Sequence, residues 1–145
     1  MILYLDTTAL AKLFVVEPGA ESLGRAVAQA AAVATHLIAY AEMRATFARA
    51  VRMGRVDGAA LPALIIEFER RWASIEVLAV TEPLVRRAGD LAERHGLRGY
   101  DSMHLAAVLA LRELVGSGAE VRFGVFDSKL REAALVHGLS LLSAT

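Results

Sequence analysis

The sequence predicts a three-layer α/β fold, with helices on both sides of a central, mainly parallel sheet of about five short strands. Three observations carry this prediction. Short runs that are apolar throughout recur along the chain, as expected of strands buried on both faces. Between them lie longer segments whose apolar residues repeat at helical spacing. Glycines, prolines and N-capping residues punctuate the junctions. Strands alternating with helices in this way build a parallel sheet through right-handed crossovers.

Residues 1–5 form the first strand, and residues 8–16 read as a helix that Pro18 and Gly19 stop. A helix over 21–30 precedes a short strand over 32–35. Residues 38–53 carry Tyr40, Met43, Phe47 and Val51 on one helical stripe, with Gly54 as the stop and Glu42 off the stripe. Asp57 is placed to cap a helix running to Trp72, with Pro62 tolerated near its first turn. A third strand spans 75–80, and Thr81-Glu82-Pro83 opens a helix that Gly96 ends. After a brief loop, Asp101 opens a helix to Val115, and Gly116-Ser117-Gly118 breaks it. A fourth strand over 121–126 leads into Asp127, and a helix over 129–137 and a strand over 139–142 complete the pattern.

At 145 residues the chain is expected to be a single domain, 1–145, with a core of its own. Hydrophobic residues make up 56% and charged residues 22%, which excludes the disordered class. With no cysteine, disulfides, thiolate metal sites and cysteine nucleophiles are excluded together, and a reducing cytoplasm is the expected setting. No basic leader and no bilayer-length apolar stretch is visible, so no membrane association is expected. Sixteen basic and sixteen acidic residues balance, so any contact with nucleic acid must come from local patches.

In parallel sheets ligands bind beyond the carboxyl ends of the strands, near the point where strand order reverses. Asp6 ends the first strand and Asp127 the fourth, while Glu42 and Asp101 lie in early turns of helices that begin at the same edge. Each has a plain structural reading. Asp101, Asp127 and Thr8 suit helix N-caps, and Glu42 suits a solvated helix face. Asp6 fits such readings least, because a charge directly after a doubly buried strand does little for solubility. Four converging carboxylates repel one another and call for a compensating cation. Oxygen-only ligands point to Mg²⁺ or Mn²⁺, and such a centre can orient and activate water for in-line attack on a phosphodiester.

The same residues carry a resemblance to the PIN domains, and especially to the VapC-type toxins of toxin–antitoxin pairs. It runs nearly end to end. Leu5-Asp6-Thr7-Thr8-Ala9-Leu10 resembles the first acidic motif, with a metal-binding aspartate and a supporting hydroxyl at Thr8. Ala41-Glu42 resembles the second motif, and Gly99-Tyr100-Asp101-Ser102-Met103-His104-Leu105-Ala106-Ala107 the third and most specific. Phe126-Asp127-Ser128-Lys129-Leu130 resembles the fourth, except that Val125 stands where relatives often have threonine. The resemblance implies a metal-dependent endoribonuclease with Asp6, Glu42, Asp101 and Asp127 as catalytic and metal-binding residues. It further implies a homodimer and a VapB-type antitoxin that covers the active site. A housekeeping role in RNA processing and a catalytically silent interaction domain are the alternatives.

His104 lies one helical turn beyond Asp101, where an imidazole can touch a carboxylate or pack structurally. His36, His95 and His137 sit at element ends and carry no functional expectation. Lys12, Arg98 and Lys129 lie near the acidic motifs and are candidate phosphate contacts. Arg44, Arg49, Arg52 and Arg55 read rather as a solvated helix face with ion pairs. Leu64, Phe68 and Trp72 read as core or dimer interface. A phosphoacceptor receiver domain is excluded because its third strand would need an aspartate where this chain has Thr81-Glu82.

Overall fold

A computed structural model describes residues 1–143; the last two residues of the expected domain, 144 and 145, lie outside the described residues. Five strands are present: β1 (Ile2–Leu5), β2 (Ala32–His36), β3 (Glu76–Leu78), β4 (Val121–Gly124) and β5 (Ser140–Leu141). They form one sheet in the order β3-β2-β1-β4-β5, with every pairing parallel. Seven α-helices accompany them: α1 (Thr7–Ala11), α2 (Ala20–Gln29), α3 (Ala39–Arg52), α4 (Leu61–Trp72), α5 (Glu82–His95), α6 (Gly99–Val115) and α7 (Ser128–Val136).

Alternation along β1 divides the interior in two. Tyr4 points to one face, where it joins Leu105 and Leu109 of α6, Phe123 of β4 and Leu130 of α7. Leu3 and Leu5 point to the other, against Leu10, Leu23, Met43, Phe47 and Phe68 from α1 to α4. All of these side chains are essentially fully buried. Both sheet faces are therefore covered, which is why the strands read as continuous apolar runs rather than alternating ones. Trp72 and Leu64 are partly buried against the second cluster, beside Phe68.

Several boundaries differ from the sequence reading, β3 for instance ending at Leu78 rather than 80. The first helix stops at Ala11, and residues 12–15 continue as tight turns. There Phe14 wedges edge-on between Phe47 and Phe68, with ring centroids 5.7 and 5.6 Å apart, so packing overrides helical continuation. The fourth strand ends at Gly124 rather than 126, because Arg131 binds the carbonyls of Val125 (2.7 Å) and Leu142 (3.0 Å) and draws the chain into the next turn. Helix α6 begins at Gly99, two residues before Asp101, with Arg98 at the N-cap position. Asp57 caps a short 3₁₀ turn over Gly58–Ala60 that leads into α4, and Pro62 sits in the first turn of α4.

Strand order reverses at β1, which pairs with β2 on one side and β4 on the other. The carboxyl ends of β1 and β4 thus flank the crevice where α/β sheets bind ligands. Gly124 lies opposite Leu5 across this junction, and a Cβ there would come within 2.5 Å of the Leu5 side chain. Only glycine admits such close packing at the strand ends beside Asp6.

Candidate active site

Asp6 follows β1 and caps α1, its Oδ1 accepting from the Ala9 N–H at 2.8 Å. It is 4% exposed, a carboxylate taken almost wholly out of water. Burial pushes it up from 3.8 to about 6; His104 and the Ala9 N–H oppose the rise, while Asp101 and Glu42 add to it by repulsion. Glu42 is in the first turn of α3 and Asp101 in the first turn of α6. All three line one hollow of about 340 Å³, with Thr7, Thr8, Thr46, Arg98 and His104 in its wall.

Asp127 caps α7, its Oδ2 accepting from the Leu130 N–H at 2.9 Å. It lines an adjoining hollow of about 320 Å³ with Gly96, Leu97, Arg98, Asp101 and Lys129. Asp101 and Arg98 belong to both hollows, so the four carboxylates share one edge in a three-plus-one arrangement rather than a single basin. Arg98 Nε donates to Asp101 Oδ2 at 3.0 Å from a side chain that is 84% exposed. The hydrogen bond to Asp101 raises Arg98 above its ordinary value, with Asp127 adding attraction.

The other predicted contacts divide. Thr8 is exposed on the hollow wall, whereas Thr7 bonds His104 Nε2 at 3.0 Å. Lys129 is exposed beside Asp127. Lys12 lines neither hollow; its Nζ bonds Glu17 at 3.1 Å and lies 4.8 Å from the Phe126 ring centre, on a side chain only 10% exposed. That cation is paired within the chain rather than facing either hollow. Arg44 and Arg55 are likewise near Glu69 and Glu17. Val125 is buried in the core.

Beneath the hollow lies a polar layer of which the sequence had pointed only to His104. His104 is buried, with Nδ1 2.9 Å from the Tyr4 hydroxyl and Nε2 3.4 Å from Glu42 Oε1. Burial works to raise Glu42, and the His104 imidazole, Thr7 and His36 overcome it, leaving Glu42 below its ordinary value. His36, at the end of β2, is fully buried and stacks on His104 with ring centroids 4.1 Å apart. Burial and His104 push it down from 6.5 to about 4. Neither ring nitrogen of His36, nor Glu42 Oε1, has a hydrogen-bond partner among the described residues. The signal for His36 was present only as a strand-end residue near the acidic edge.

Comparison with known proteins agrees with this fold. The profile of the PIN domain family matches residues 3–118. The chain belongs to the PIN domain family. This PIN domain is similar to Ribonuclease VapC45 and Ribonuclease VapC49 from two strains of Mycobacterium tuberculosis. Identity to each is 31% over 143 residues, covering 99% of this chain and 96% of theirs. In backbone the PIN domain resembles a chain of VapBC2 from Rickettsia felis bound to a promoter DNA fragment. The TM-score there is 0.66 at 14% identity, covering 98% of each chain. It also resembles a chain of a toxin–antitoxin complex from Klebsiella pneumoniae. The TM-score there is 0.61 at 16% identity, covering 99% of this chain and 98% of that one.

Proposed function

We propose that this PIN domain is a metal-dependent endoribonuclease and the toxin component of a VapBC-type toxin–antitoxin pair. The observation that carries the reading is the crowding of Asp6, Glu42 and Asp101 in one hollow, with Asp127 adjoining through Asp101. Full-length similarity to proteins named as VapC ribonucleases supports RNA as the substrate.

The residues present fit a hard divalent cation, Mg²⁺ or Mn²⁺. Asp6 is a desolvated carboxylate made worse by two neighbouring carboxylates, and Glu42 Oε1 is buried with no hydrogen bond, only the His104 ring 3.4 Å away. Both are situations that a cation with oxygen ligands relieves. When bound, such an ion supplies charge to a phosphodiester in attack and lowers the pKa of a water. Asp6, Glu42 and Asp101 would hold it, with Asp127 as a more distant carboxylate.

The chain's own groups do the positioning. The Ala9 N–H fixes one oxygen of Asp6 and leaves the other for the hollow. Arg98 holds one oxygen of Asp101, and the His104 ring stands beside Glu42. Arg98 and Lys129 face solvent at the rim, where cations meet a phosphate backbone. Thr8 is the hydroxyl on the hollow wall; Lys12 is left out of the substrate site because Glu17 holds it.

An apolar groove of about 420 Å³ between α5 and α6, lined by Val85, Ala92, Tyr100 and Met103, adjoins the hollow through Tyr100. It offers a seat for the second subunit of a homodimer or for an antitoxin helix. No helix among the described residues is long and apolar enough to cross a membrane.

The test is cleavage of unstructured and folded RNA by purified protein with Mg²⁺ or Mn²⁺. Cleavage is expected to vanish in chelator and in Asp6→Asn and Asp101→Asn, both still folded. Cleavage that persists in either variant or in excess chelator overturns the reading.

A further inference from the structure

Below the acidic hollow, two imidazoles and one carboxylate meet in a place suited to a different kind of ligand. The candidate ligand atoms of His36, Glu42 and His104 lie within 4.8 Å of one another. His36 is fully buried and its two ring nitrogens have no partner among the described residues. Buried polar atoms left unpaired are rare and ask for a ligand, because desolvation without a new bond is costly. The third residue also shows an unpaired buried atom, Glu42 Oε1. Three candidate ligands from three separate elements, β2, α3 and α6, thus meet at one spot.

We propose that His36, Glu42 and His104 form a second metal site, selective for a nitrogen-seeking transition metal such as Zn²⁺, that shares Glu42 with the acidic hollow.

Donor chemistry separates this site from its neighbour. Two imidazoles and a carboxylate suit Zn²⁺ or Co²⁺, whereas Mg²⁺ takes oxygen and water. Three protein ligands with a fourth position open to the hollow is a common zinc arrangement. Glu42 and His104 both line the hollow, which provides the entry path and that open position. The supporting contact is also in place. Tyr4 Oη, 2.9 Å from His104 Nδ1, can accept a hydrogen bond from Nδ1–H and so leave the Nε2 lone pair, on the side of Glu42, for the ion. Coordination at about 2.1 Å requires the ligand atoms to draw in by about 1 Å, a small rotation of the stacked rings, and His104 to release Thr7. One carboxylate cannot serve both ions fully, so the soft ion displaces Glu42 from the hard site. That consequence rests on the nuclease reading; the binding itself does not.

The experiment is a calorimetric Zn²⁺ titration, with Co²⁺ visible absorption as the second readout. The His137→Gln background removes the half-buried pair in which His95 and His137 lie 2.8 Å apart. His36→Phe and His36→Gln are compared with that parent after thermal melts without metal show them folded. One Zn²⁺ per chain is expected in the parent, with d–d bands of low-symmetry Co²⁺. Both variants should lose affinity by about 100-fold or more and lose the bands, while keeping Mn²⁺ binding. Zn²⁺ affinity and bands that survive in a folded His36 variant, or a parent that binds no Zn²⁺, would overturn the proposal. Should RNA cleavage be absent while Zn²⁺ binding depends on His36, the nuclease reading fails and the second site stands.

Discussion

Replacing Asp6 by asparagine should stabilise the metal-free protein at neutral pH, although it removes a residue placed at the centre of the site. The folded protein raises Asp6 from 3.8 to about 6. A carboxyl raised on folding holds its proton more tightly in the native state. Its stabilising contribution is therefore complete below pH 4 and is lost as pH rises through about 6. At about 1.4 kcal/mol per tenfold in proton affinity, the difference between 3.8 and about 6 is about 3 kcal/mol. Asparagine keeps the oxygen that accepts from Ala9 and is itself a favoured N-cap, so the cap survives. The variant should match the parent near pH 4 and exceed it by up to about 3 kcal/mol above pH 7. In a domain of this size that is about 6–12 °C in melting temperature. The assay is urea and thermal unfolding of chelator-dialysed protein across pH 4–8. Saturating Mg²⁺ should narrow the gap, since the parent gains about 2.7 kcal/mol at a hundred times Kd and the variant gains less. A metal-free variant less stable than the parent at pH 7.5 would refute the reasoning, because Asp6 would then act through its cap alone.

Other perturbations test other parts of the site. Arg98→Ala should weaken RNA binding and lower the slope of log affinity against log salt by about one, without lowering thermal stability measurably; fluorescence anisotropy across a salt series reads both. Gly124→Ala should lower the urea midpoint by an amount corresponding to about 1–3 kcal/mol and reduce cleavage together. The new Cβ would meet the buried Leu5 side chain and displace the end of β1 that carries Asp6.

Much of this arrangement is legible in the sequence. Apolar runs and helical stripes gave the strands and helices because both sheet faces are covered, and strand-end carboxylates gave the acidic edge because parallel sheets bind ligands there. What escaped depends on side chains distant in sequence. His36 reads as a plain strand end, and only the docking of α6 on β2 stacks it on His104. Thr7, not Thr8, reaches His104, since Asp6 as N-cap fixes the direction of the first helical turn. The loss of Lys12 to Glu17 and the early stop of α1 follow from packing around Phe14 and Phe126, which local periodicity does not encode. The alternative reading of Asp101 as an N-cap does not apply, because α6 starts two residues earlier and leaves that carboxylate to Arg98 and the hollow.

The most direct measurement is anomalous scattering from crystals soaked in Mn²⁺. A peak is expected in the hollow, within coordination distance (about 2.0–2.4 Å) of oxygens from Asp6 and Asp101, with Glu42 or Asp127 as a further direct or water-bridged ligand. No peak there at saturating Mn²⁺, or an ion bound on another face of the molecule, would contradict the assignment of the acidic edge as the metal centre.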